Sequence, residues 1–132
     1  MRHTLALALI ASACCAGSVA AQTDDPYAAG IAATRKDRLQ KDYNEYLDGA
    51  RMLYFAVGCK AILVEPYAAL ALANRMPDFL SRGIPKAQIE TQIRAAARDG
   101  LAKAQEGCQV WKDAPPEVIS SLREMVRAGV MP

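Results

Sequence analysis

Cys59 and Cys108 stand about 50 residues apart, and a bond between them would close one of the longer loops a chain of this size can hold. No other feature restricts the fold as much. Whether they are meant to meet depends on the compartment and on the other two cysteines, Cys14 and Cys15. Both of those lie in an N-terminal stretch that reads as an export signal. Arg2 and His3 form a short basic start, "TLALALIASA" supplies an apolar run, and "SVAAQ" offers small residues for cleavage after Ala21 or one residue earlier. The run falls short of the ~20 apolar residues a membrane span needs. A lipid anchor is the alternative route. "ASACC" places Cys14 after small residues, although Ala11 stands where a larger aliphatic side chain is usual, and lipidation would make Cys14 the first mature residue.

Removal of residues 1–21 leaves one domain's worth of chain with Cys59 and Cys108 as its remaining cysteines. An even count in an oxidising compartment argues for a disulfide. The other chemistries open to these thiols are weaker. A structural zinc site needs four ligands, and the only histidine, His3, leaves with the signal. A redox pair usually has C-x-x-C spacing, and a thiol nucleophile wants a histidine base. Lys60 adjoins Cys59, but adjacent helix residues do not face each other. Free buried thiols remain the bland alternative.

The same inventory restricts function. Without histidine, acid–base and nucleophilic catalysis would fall to carboxylates or tyrosines. Asp42, Glu45 and Asp48 share a helix flank, but among Arg38, Lys41 and Arg51, which reads as a solvated mixed-charge face. Asp24 and Asp25 are too few for a calcium site, and "RGIPKA" is too little for a phosphate loop. No catalytic, cofactor-binding or metal-ligating residue is assigned. Net charge is +2, close to neutral once Arg2 is removed, so nothing points to nucleic acid. Arg35, Lys36, Arg38 and Lys41 alternate with Asp37 and Asp42 and read as a solvated face.

Residues 22–33 read as a flexible mature N-terminus, becoming helical towards its end, ahead of a helical domain over 34–132. Thr34 and Asp37 resemble a capping box. Leu39, Tyr43, Tyr46, Leu47, Ala50, Leu53, Tyr54 and Val57 then recur at helical spacing, with Gly58 as the stop. A second helix opens at Pro66, and Pro77 predicts a break near Met76. A third carries Ile89, Ile93, Ala96, Ala97, Leu101, Ala104 and Cys108, with Glu90–Arg94 and Asp99–Lys103 as i,i+4 pairs and Gly100 marking a tight crossing. The last is capped at Asp113 or Ala114, opened by Pro115 and Pro116 and closed by Gly129. Its core side chains are Val118, Ile119, Leu122, Met125 and Val126. "AILVE" is the one candidate strand.

Assembled, these elements predict an all-α, four-helix up-down bundle with one disulfide joining two helix ends at the same pole. In outline the chain resembles small periplasmic acid-stress chaperones of the HdeA type, through the Cys59–Cys108 arrangement alone, and also helical toxin-immunity proteins. Those likenesses imply a periplasmic chaperone or inhibitor without fixing either. The expected function is a non-enzymatic binding or interaction module, with an unidentified protein or a small apolar ligand as partner. Met52, Tyr54 and Phe55 cannot all enter one helix interface and are the candidate surface. Trp111 is expected to lie over the disulfide or the end of the bundle.

Overall fold

The computed structural model describes residues 25–61 and 65–131. The expected signal peptide, residues 62–64 of the candidate strand and Pro132 lie outside them. The described residues form an all-α domain of five helices, four of them substantial. These are α1 (Pro26–Gly58), α2 (Glu65–Ser81), α3 (Lys86–Glu106), the single turn α4 (Gln109–Lys112) and α5 (Pro116–Arg127). Cys59 and Cys108 are joined in a disulfide, with their Cα atoms 5.5 Å apart.

Helix α1 begins eight residues before Thr34. Asp25 caps it by accepting a hydrogen bond from the Tyr27 amide at 2.9 Å, and Pro26 occupies the first turn, where its missing N–H costs nothing. Thr34 is no cap; its hydroxyl donates to the Gly30 carbonyl one turn back. At the other end Gly58 stays helical, and the stop falls at Lys60. Lys60 takes φ 60°, its amide bonds to the Val57 carbonyl, and the Ala61 amide bonds to the Ala56 carbonyl. This is a Schellman closure with lysine where glycine is usual. Gly83 after α2 and Gly129 after α5 close their helices by the same bonds with the usual residue. Helix α2 does not break at Met76 but runs through Pro77. Ala73, whose carbonyl loses its intrahelical partner, is exposed to solvent, while Phe79 beyond the proline is fully buried and holds the last turn in place. Helix α5 starts at Pro116 with Pro115 in the cap position, one residue later than expected.

The dominant pairing is α1 against α3. The two run in the same direction at a nearly constant offset: Tyr43 donates to the Gln92 side chain at 2.6 Å, Arg51 faces Asp99 at 3.6 Å, Gly58 meets Ala104, and Cys59 bonds to Cys108. Small residues permit the approach. A Cβ on Gly100 would overlap the Arg51 carbonyl oxygen and crowd the Phe55 amide, and one on Gly58 would overlap the Ala104 Cβ. Helix α2 runs the opposite way along α1. Arg82 pairs with Asp42 at 2.8 Å, Phe79 packs edge-on to Tyr43, and the Tyr46 hydroxyl donates to the Leu72 carbonyl at 2.7 Å. Helix α5 is held by Arg123 to the Ala61 carbonyl at 2.8 Å and by the Asn74 side chain to the Gly129 carbonyl at 3.0 Å. Tyr43, Tyr46, Leu53, Leu72, Phe79, Ile89, Leu122 and Val126 form one shared core.

Two expected surface pairs are replaced by others. Asp99 faces Arg51 across the helix pair rather than Lys103, and Glu90 faces Lys86 at 3.7 Å rather than Arg94. Both are exposed and contribute little. Two backbone positions yield tests. Gly100→Ala gains helix propensity but overlaps backbone that cannot yield, so urea unfolding is expected to show a loss of about 1–3 kcal/mol. Lys60→Gly relieves the left-handed conformation and is expected to raise stability by about 0.5–1 kcal/mol in the same assay.

Candidate functional site

Met52, Tyr54 and Phe55 step round α1 and end in three different environments. Phe55 is 6% exposed and belongs to the core. Trp111 meets it edge-on at 5.7 Å between ring centroids, and Lys103 sits 5.1 Å from its centroid as a cation–π partner. Tyr54 is half-buried beside Thr91, Arg94, Ala97, Arg98 and Leu101 on the α3 flank. Met52 is 53% exposed and turns the other way. The structure therefore does not gather the three into one surface.

Met52 instead forms one wall of an open groove of about 410 Å³, completed by Trp111, Glu117, Val118, Ser121, Leu122 and Met125. Three elements build it. The C-terminal third of α1 supplies Met52. The α4 turn that follows Cys108 carries Trp111 to the end of the groove and against Phe55. Helix α5 supplies the remaining lining, from Glu117 to Met125. The surface is almost wholly apolar, and two methionines in it give side chains that repack at little cost. Val118, assigned to the core from its spacing, is 52% exposed. On α5 only Leu122 and Val126 are buried, with Ile119 half-buried beside them, so Val118 and Met125 lie on the shoulder of the helix. The indole N–H of Trp111 is buried without an acceptor among the described residues.

The sequence singled out Met52 but not the rest of this groove. One signal was there: adjacent Val118 and Ile119 lie ~100° apart on a helix and cannot both face one narrow interface. Trp111 needed the three-dimensional path of the chain after the disulfide.

On the acidic flank of α1, Asp42 and Glu45 line one small polar pocket with Tyr46, Arg75 and Met131. Asp42 pairs with Arg82, Glu45 lies 3.9 Å from Lys41, and Asp48 pairs with Arg51. No group of three or more potential metal-ligating side chains occurs among the described residues, and no described helix is long and apolar enough to cross a membrane. The perturbed acids are buried tyrosines. Burial pushes the Tyr46 phenol up to about 12; neighbouring Tyr43 adds to the rise and Arg75 opposes it. Burial also raises Tyr43. These groups serve packing, through a cluster with Phe79 at 4.8 and 5.3 Å.

The described residues thus define a disulfide-linked, all-α domain with an open apolar groove bounded by α1, α4 and α5. Comparison of the chain with protein-family models, curated proteins and solved structures found no match.

The tyrosine pair sets an alkaline limit. Tyr46 stays protonated in the fold up to about pH 12, whereas the unfolded chain releases that proton near pH ~10. Its contribution is complete below pH ~10 and is lost as pH rises towards 12. Denaturant melts from pH 7 to 11.5 are expected to show that loss. Tyr46→Phe is expected to be weaker at pH 7 by about 1 kcal/mol, from the missing hydrogen bond, with a flatter alkaline decline.

Proposed function

We propose that this protein is a non-enzymatic binding module, exported to the periplasm, whose α1–α4–α5 groove receives an apolar group from its partner. The observation that carries this reading is the groove itself. Met52 and Val118 are each about half exposed and line one space of about 410 Å³ with Trp111, Leu122 and Met125. Volumes of this order suit small-molecule sites and the anchor side chains of peptides. The non-enzymatic part rests on Asp42, Glu45 and Asp48 of α1 lying beside Arg82, Lys41 and Arg51 respectively. Export rests on the N-terminal segment and on the disulfide, which persists in oxidising compartments.

Trp111 is the only tryptophan in the chain, so its fluorescence reports on the groove directly. Titration with an apolar dye such as anilinonaphthalene sulfonate is expected to give saturable energy transfer from Trp111. Val118→Glu, at an exposed position where folding is spared, is expected to weaken that binding by about tenfold or more. Absence of saturable transfer, or equal binding by the Val118→Glu protein, would remove the groove as the functional surface.

A further inference from the structure

The N-terminal part of α1 extends past the rest of the domain. Every residue from Pro26 to Arg38 is exposed, and the first side chain of α1 to enter the interior is the half-buried Leu39. This arm of about 20 Å is no bare polar spacer. Tyr27, 76% exposed, and Ile31 lie one turn apart and lead into Arg35 and Arg38 on the same flank. The docked half of α1 already supplies the helix nucleus, so the arm is ordered in advance and loses little entropy on binding.

The described residues therefore include a helical arm and a groove between helices, both with uncovered apolar side chains, which is the geometry of helix-in-groove recognition. Their charges are complementary. Among the described residues, Glu117 is the only charged side chain lining the groove, and Arg35 and Arg38 are the only ones lining the arm's apolar flank. A molecule cannot satisfy itself. Ile31 and Met52 belong to one unbroken helix and stand 21 positions apart, about 32 Å along its axis. The arm points away from its own groove.

We propose that the groove receives the arm of a second copy of this chain, with Tyr27 and Ile31 entering between Met52 and Val118 and Arg35 or Arg38 reaching Glu117. Each copy has one arm and one groove, so reciprocal insertion satisfies both and closes at two copies. This rests on the groove being a binding surface, and it names the occupant.

Sedimentation velocity of the purified, oxidised full chain tests it, over a concentration series up to about 200 µM, a range that detects micromolar association. Wild type is expected to move from monomer to dimer, with weaker association at high salt. Ile31→Asp, on the exposed arm, is expected to be monomeric throughout while still binding the dye at Trp111. Val118→Glu is expected to lose both. Glu117→Arg is expected to weaken the dimer, and combining it with Arg35→Glu and Arg38→Glu to restore it. A wild type monomeric across the whole range overturns the proposal, as does a dimer indifferent to Ile31→Asp. Dye binding by such a protein would leave the groove a binding site for some other partner, whereas loss of dye binding as well would remove both readings.

Discussion

The parallel contact between α1 and α3 is the interaction on which the rest of the structure depends. Parallel neighbours cannot be joined by a short turn, so the chain must travel down α2 before α3 can rise beside α1. The pairing then has to be held by contacts distant in sequence, which cost loop-closure entropy. The structure meets that cost along the whole pair. Tyr43 with Gln92 fixes one end, Gly100 lets the backbones touch in the middle, and the Cys59–Cys108 bond closes the far end. A closed loop of this length is credited with about 4 kcal/mol in the chain-entropy model, a large part of the roughly 5–15 kcal/mol that holds a typical domain.

The other elements follow from that frame. Helix α2 lies against α1 through the Tyr43–Tyr46–Phe79 cluster and the Asp42–Arg82 pair, and α5 is attached mainly through α2 and the Ala61 turn. Because α5 buries only Leu122 and Val126, its shoulder and the outer side of α1 remain apart at Met52. The groove is the space left there. The disulfide also positions its end wall, since α4 follows Cys108 directly and swings Trp111 onto Phe55.

Much of this was legible in the residues because helical periodicity is a local property. Tyr43, Tyr46, Leu47, Ala50 and Leu53 recur at the spacing of one face, and all five are buried. Gly100 was conspicuous in an alanine-rich stripe and does mark the crossing. The cysteine pairing followed from their number and the oxidising compartment expected from the N-terminal segment. What escaped the reading depends on partners far away. Pro77 is carried inside α2 because Phe79 is anchored by tyrosines from α1. Gly58 is kept helical because Ala104 packs on it, which passes the left-handed turn to Lys60. Leu101 and Val118 fit their stripes by spacing yet are substantially exposed, at 38% and 52%. Asp42 with Arg82 has no local signature at all. The candidate surface divided for the same reason: neighbouring positions on α1 meet different helices.

The central claim is that α1 and α3 form the frame and that the other helices are fastened to it. Hydrogen exchange of the oxidised protein measures this directly, helix by helix, under native conditions. The account predicts that the amides of Tyr43–Val57 and Ile89–Ala104 exchange last and together, at the rate set by global unfolding, with α2 and α5 opening earlier. Amides of α2 or α5 outlasting them, or α1 and α3 opening independently of each other, would contradict it.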